Sequence, residues 1–469
     1  MTDRLERLWE DEVLPTLSDY IRIPAVSVAF DPDWEAHGHL DAAVELVRAW
    51  SAARQIDGLV VDVVRLPGRT PVILMEVPAS DGSAGADADT VLLYGHLDKQ
   101  PEMVGWREGL GPWTPVRDRD RLYGRGGADD GYAAFAALTA IEEVRRQGGS
   151  HARCVVLIEA SEESGSPDLP IYVEALADRI GTPSLIICLD SGCADYDHLW
   201  VTTSLRGLAS VVLQVDVLTH GVHSGAASGV VPSSFRILRR LLDRVEDPDT
   251  GQILVPECHG DPTGDRLAQV RASAEAMGAS LLTDWPFAGS TTAVPTTPTD
   301  ALLARCWRPT LSTVGMDGIP SVVDGGNVLR PMTRAALSFR LPPSVDPEAA
   351  GRAVVERLSV DPPHGAQVTA TLTETGPGWV APDLAPWLAT ALDAASVEAF
   401  GEPARFTGEG GSIPFMGMLG ERFPDAQFVV TGVLGPGSNA HGPNEFLHVP
   451  TAVRVSGSVA HLLIAHAAR

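Results

Sequence analysis

The chain has 469 residues, 44% of them hydrophobic and 20% charged, enough for two or three domains that each bury a core. Its 61 acidic and 35 basic residues leave a net charge of −26, a field that repels nucleic-acid backbones and anionic lipid, so neither is an expected partner. A single basic residue, Lys99, is a lysine.

Helical and strand patterns alternate first. Amphipathic stretches at Leu5 to Arg22 and Leu40 to Arg54 and the apolar runs LVVDVV, PVILMEV, TVLLYG, CVVLIEA and SLIICLD predict a mixed α/β sheet covered on both faces. Pro78 to Thr90 is small and turn-rich, which predicts a surface hairpin or loop. The texture changes at Arg206. GLASVVLQVDVL alternates like a half-exposed strand, VVPSSFRILRRLLDRVED is an amphipathic helix, and RAALSFRLPP and QVTATLTETG read as strands with a helix between them. The pattern from about Leu384 to Phe400, the run QFVVTGVL and the apolar helix Ala452 to Ala468 then resume the first style. The expected domains are therefore a split α/β/α catalytic domain (1–205 and 379–469) and an inserted α+β domain (206–378).

The five cysteines (Cys154, Cys188, Cys193, Cys258 and Cys306) are odd in number and lack CxxC spacing, so neither a disulfide framework nor a thiolate zinc site is expected. The start, MTDRLERLWEDEVL, reads as a mature helix instead of a signal peptide, and no apolar run approaches the roughly 18 residues of a membrane span. A cytoplasmic protein is expected.

Polar residues interrupt the carboxyl ends of the buried runs. TVLLYG leads into His96 and Asp98, CVVLIEA into Glu162 and Glu163, SLIICL into Asp190, and QFVVTGVL through a Gly-rich loop into His441. Asp129 and Asp130 open a helix in RLYGRGGADDGYAAFAALTAIEEV. In isolation Asp130 reads as a helix N-cap, the Glu pair as a solvated loop and Asp190 as a turn acid. Together, delivered from separate strands to the edge where open α/β sheets bind ligands, they point to a metal site. Five of them, His96, Asp129, Glu163, Asp190 and His441, offer imidazole and carboxylate without a thiolate, which suits zinc, manganese or cobalt. They exceed the three side chains of one catalytic zinc and suit two ions about 3.5 to 4 Å apart, with Asp129 as the natural bridge.

GHLDKQP (Gly95 to Pro101), YGRGGADDG (Tyr123 to Gly131), EASEESGS (Glu159 to Ser166), LDSG (Leu189 to Gly192), GEGGSIP (Gly408 to Pro414) and NAHGPNE (Asn439 to Glu445) resemble the motifs of the carnosinase and cytosolic nonspecific dipeptidase type of dimetal peptidases, which has carboxypeptidase G and aminoacylase relatives. The resemblance spans nearly the whole chain in the right order. It implies one divalent ion, zinc first, held by His96, Asp129 and Asp190, and a second held by Asp129, Glu163 and His441. Glu162 would be the general base toward a metal-bridging water, and Asp98 would orient His96. It further implies that the inserted domain is a lid and dimerisation domain of a homodimer. There His223 would polarise the scissile carbonyl from the partner subunit, Asn327 would lie near the carbonyl oxygen, Arg340 would bind the substrate carboxylate, and Gly411 and Ser412 would contact the substrate backbone. Lys99 lies inside the first motif, with a structural role expected.

Three departures stand out. DDGY at Asp129 to Tyr132 lacks the lysine of the family's DDKG, His441-Gly442-Pro443-Asn444-Glu445 replaces HSQNE or HSPNE, and a Pro/Thr-rich segment runs from about Thr283 to Thr299. None removes a ligand. The expected activity is hydrolysis of a dipeptide or short peptide with a free C-terminal carboxylate; an N-acyl-amino-acid amidohydrolase would use the same machinery, and a non-catalytic metal-binding scaffold is the alternative from another class. A serine hydrolase and a single-zinc protease are not expected, since GxSxG and HExxH are absent.

Overall fold

The computed structural model describes residues 2–80, 89–262, 264–411 and 414–469. Residues 81–88 of the expected loop, and Ser412, lie outside them. The chain divides into two compact units, one of Met1–Thr203, Ala381–Thr407 and Met418–Arg469, the other of Ser204–Val380 and Gly408–Gly417. Residues 408–417 thus fall with the second unit instead of the first.

The first unit is a mixed α/β structure. Its central strands run in the order Val60–Val64, Val72–Val77, Arg153–Glu159, Thr90–His96, Pro183–Cys188 and Gln427–Val430. The last four are mutually parallel, whereas the first two pair antiparallel at the edge. Thr90–His96 and Arg153–Glu159 are buried along their whole length. That is why they read as continuous apolar runs, since a parallel strand covered on both faces has no solvent side to alternate with. The helices His39–Ala52, Ala133–Arg146, Pro386–Phe400 and Val449–Ala467 supply one covering layer, joining Val47, Phe135, Leu138, Leu392 and Leu462 to Val91, Leu93, Val156 and Ile187 of the sheet. A small antiparallel sheet orders Phe446–His448, Arg121–Tyr123 and Val116–Asp118.

The second unit is built on a four-stranded antiparallel sheet in the order Thr310–Asp317, Met332–Leu341, Gly207–Asp216 and Gln367–Gly376. Gly207–Asp216 alternates strictly between buried and half-buried residues. The helices Ser234–Leu242 and Pro347–Ser359 cover one face, packing Ile237, Leu241, Val354 and Leu358 against Val211, Leu213, Leu337 and Phe339. Between the helices Ser280–Thr283 and Pro298–Cys306 the Pro/Thr-rich segment consists of turns and irregular backbone. It runs from the end of the helix Ser280–Thr283 into Pro298–Cys306, where Thr297 Oγ1 accepts from Asp300 N as an N-cap.

All five cysteines are buried as free thiols. Among the described residues no helix is long and apolar enough to cross a membrane.

Candidate metal centre

Every candidate ligand lies at or just beyond the carboxyl end of a parallel strand or in a loop beside one. His96 ends Thr90–His96, and its ring is fully buried. Nδ1 lies 3.1 Å from the Asp98 carbonyl oxygen and 3.4 Å from Asp98 Oδ1. The ring is thereby oriented, and Nε2 is left buried with no hydrogen-bond partner. Asp98 does a second thing that its motif did not suggest. Its two carboxylate oxygens accept from the backbone N–H groups of Glu162 and Glu163, at 3.1 and 3.0 Å, which fixes the turn after Arg153–Glu159.

Asp129 and Asp130 precede the helix Ala133–Arg146 in non-helical backbone. The N-cap expected of Asp130 is not formed. Its Oδ2 instead accepts from His96 N at 3.2 Å, and Oδ1 has no partner. Strand and loop come so close here that a Cβ on Gly95 would stand 2.7 Å from Asp130 Oδ2, so the glycine is needed for the approach. Asp129 lies between the two imidazoles, with Oδ1 3.4 Å from His96 Nε2 and Oδ2 3.1 Å from His441 Nε2. Asp190 Oδ2 is 3.9 Å from His96 Nε2, and Glu163 Oε2 is 3.3 Å from His441 Nε2. The donors form two groups, His96–Asp129–Asp190 and Asp129–Glu163–His441, the ligand atoms of each lying within 4.8 Å of one another. Glu162 Oε2 is 4.0 Å from His96 Nε2.

The electrostatics favour cations. Burial, then the charge of Asp190, pushes the Glu162 carboxyl well above its ordinary range; burial, then Asp129, does the same to Glu163. Burial raises Asp190 to about 6, opposed by His96. Burial disfavours the His96 cation, yet Asp190, Asp129 and Asp98 outweigh it and hold the imidazole well above its usual range. Among the described residues no Arg or Lys pairs with Asp129, Glu162, Glu163 or Asp190; their charged neighbours within 4 Å are the two histidines. An orphaned buried nitrogen amid unneutralised carboxylates, with no thiolate, fits two divalent ions of the zinc, manganese or cobalt type.

The other described candidates, His223, Asn327, Arg340 and Gly411, lie in the second unit. His223 is exposed in the short strand Val222–His223, which pairs with Val328–Leu329, and Ser224 N donates to the Asn327 carbonyl at 2.9 Å, so His223 and Asn327 lie together. Arg340 is half-buried on Met332–Leu341, opposite Leu208 and Thr310. The Gly411 carbonyl accepts from Arg206 N at 3.1 Å.

Four participants escaped the sequence reading. Gln100, in the GHLDKQP motif, donates from Nε2 to Glu163 Oε2 at 2.6 Å. Arg125 and Glu445, in two different motifs, form a buried ion pair. Arg206 donates from Nε to Gly410 O at 3.1 Å and so anchors the glycine loop; burial lowers it to about 10. Gln100, Arg125 and Glu445 lie inside recognised motifs and Arg206 outside them, but only folding shows which groups they touch.

The model of a protein family described as Peptidase family M20/M25/M40 matches residues 92–465. The chain is 29% identical over 443 residues to the cysteinylglycine-S-conjugate dipeptidase of Corynebacterium striatum, covering 88% of this chain and 89% of that protein. It is 26% identical over 458 residues to the Cys-Gly metallodipeptidase dug1 of Schizosaccharomyces pombe, 87% of each being covered. Two solved structures share the fold. The dipeptidase Dug1p from Saccharomyces cerevisiae superposes with a TM-score of 0.73 at 23% identity, covering 99% of this chain and 98% of that one. Human carnosine dipeptidase 1 gives 0.72 at 22% identity over the full length of both.

Proposed function

Because the chain belongs to peptidase family M20/M25/M40 and is a peptidase, we propose that it is a dinuclear metal-dependent dipeptidase whose substrate carries a free C-terminal carboxylate. The observation behind this is the pair of donor groups that share Asp129, in a chain whose relatives include Cys-Gly dipeptidases. His96, Asp129 and Asp190 would hold one ion and Asp129, Glu163 and His441 the other, with zinc first and manganese or cobalt as alternatives. When bound, such ions act as Lewis acids and acidify water.

This chain's own residues then do the following. Glu162, beside both acidic groups, takes a proton from the attacking water as its oxygen bonds to the peptide carbon. Glu162 gives that proton to the amide nitrogen as the C–N bond breaks, so the products are a free carboxylate and an amine. Asp98 holds the His96 ring and the Glu162–Glu163 turn in one arrangement. Arg340 is proposed to take the substrate carboxylate through its planar fork of donors. His223, with Asn327 beside it, is proposed to polarise the carbonyl from the partner subunit of a homodimer, and Gly411 and Ser412 to meet the substrate backbone. A cytoplasmic setting agrees with five unpaired cysteines.

A substrate panel with zinc, manganese or cobalt tests the assignment: Cys-Gly, an S-conjugate of it, β-Ala-His and N-acetyl amino acids. Faster turnover of the dipeptides is the expected result. Preference for the N-acetyl compounds would make the chain an amidohydrolase instead.

A further inference from the structure

The two donor groups are held by different kinds of backbone. His96 ends a buried strand, and Asp190 follows the end of another, Pro183–Cys188. His441, by contrast, sits in a loop, at a positive φ of 62°, with its side chain 56% exposed. A long-range polar tether restrains that loop. Arg125 and Glu445 are almost wholly buried. Arg125 Nη1 donates to Glu445 Oε2 at 2.6 Å, and Nη2 donates to the carbonyl of Gly442, the residue after His441, at 2.8 Å. Glu445 Oε1 accepts from Gly126 N at 2.9 Å, and its carbonyl accepts from Gly124 N at 3.0 Å. Beyond the pair, Phe446 and Tyr123 are partners in the small sheet. Arg125 lies four residues before Asp129. One guanidinium therefore couples the loop bearing His441 to the loop bearing the shared carboxylate.

A buried ion pair contributes little net stability over an apolar pair of similar size. A fork of donors that meets a carboxylate and a carbonyl at once does, however, fix geometry. On the two-ion reading proposed above, we infer that the Arg125–Glu445 pair is a positioning device for the second donor group, setting the distance from His441 to Asp129 and Glu163 and hence the affinity of that site for its ion. Of the first group only the shared Asp129 lies near the tether; His96 and Asp190 stand at strand ends outside it, so that site depends on the pair far less.

The test is a metal-binding titration of the purified apoprotein with Zn²⁺ against a chromophoric chelator. It compares wild type, Arg125→Met and the double variant Arg125→Met/Glu445→Met. The double variant leaves no unpaired buried charge and so keeps the question answerable if the single variant unfolds. Expected is one site close to wild-type affinity and one weakened about 10- to 100-fold, the span typical of groups that orient metal ligands, with an unchanged far-ultraviolet spectrum. Two wild-type sites in the folded double variant would overturn the positioning role alone. Equal weakening of both sites would overturn it too, by showing a general loosening. A wild-type protein that binds fewer than two ions would instead remove the two-ion centre.

Discussion

The parallel strands of the first unit carry ionisable clusters at both ends, and the two clusters are made of similar residues. At the carboxyl ends stand His96, Asp98, Glu162, Glu163 and Asp190. At the amino ends stand Asp89, Arg153, Ser184, His466 of the C-terminal helix and Arg469 just beyond it. There Ser184 Oγ lies 2.5 Å from Asp89 Oδ1 and 2.8 Å from His466 Nε2. By composition this is a Ser–His–Asp set, yet it is built differently from the cluster opposite. Arg469 pairs with Asp89 at 2.9 Å, and Arg153 pairs with Glu76 at 2.9 Å. The carboxylates at the carboxyl ends have no such cation. An orphaned nitrogen does not separate the clusters, because His466 Nδ1 also lacks a partner. What separates them is uncompensated negative charge, which only the carboxyl-end cluster keeps available for ions.

The sharpest way to break this contrast is to remove the shared carboxylate. Asp129→Ala should abolish binding of both ions, and with it activity, because each donor group loses a member. Metal analysis after dialysis against Zn²⁺ checks this. Retention of even one tightly bound ion would show that one group does not need Asp129. Next in size is Glu162→Gln, which alters no proposed ligand. The expected loss is roughly 10²- to 10⁴-fold in kcat, the usual span for a general base, with two ions still bound. Unchanged turnover would remove Glu162 from the chemistry.

Lys99 gives a smaller and purely structural effect. Its Nζ donates to the carbonyls of Tyr20 and Ile23, both at 2.8 Å, and lies 3.9 Å from the centre of the Tyr20 ring. It thus closes the C-terminal end of the helix Leu14–Ile21, where a cation is favoured. Its stem runs under Gly126, whose φ of +78° and whose missing Cβ, which would meet Lys99 carbons at 2.7 Å, both call for glycine. A compact ammonium on a thin stem fits this slot where a planar guanidinium would not, which accounts for a lysine in a chain otherwise served by arginine. Lys99→Met should cost about 1–3 kcal/mol for each carbonyl left unpaired, read as a lower urea midpoint, while the folded fraction still binds two ions. Loss of an ion without loss of stability would instead make Lys99 part of the site.

The central strands and the ligands at their ends were legible for the same reason. A strand buried on both faces must be apolar throughout, so a histidine or carboxylate at its end stands out. The exposed strand Thr310–Asp317 was not legible, since almost all of its residues face solvent and no apolar alternation marks it. The helix Arg266–Met277 lacked a continuous apolar face and was missed as well. The small sheet that joins Tyr123 to Phe446 has three-residue strands, too short for any period to show. Asp130 was misread because an aspartate before a helix usually caps it, and only the fold reveals that His96 N is nearer. Arg125 and Glu445 meet across 320 residues, and local patterning carries no information on such a pairing.

The amino-end cluster yields the smallest prediction and the one that most directly contrasts the two ends. The His466 side chain is fully buried. Burial, reinforced by the charge of Arg469 and opposed by Asp89, lowers it to about 4, while Ser184 and the ring of Trp387 complete its surroundings. The folded protein therefore keeps His466 neutral between about pH 4 and pH 6.5, where the unfolded chain protonates it. In that window the unfolded state binds more protons, so stability falls as pH falls, by at most about 3 kcal/mol from this residue. His466→Gln, which offers Ser184 an amide in place of the imidazole, should flatten that part of the profile. Urea midpoints at about pH 7 and about pH 5 measure it for wild type and variant. An identical decline in both would assign the acid sensitivity elsewhere and remove His466 from it.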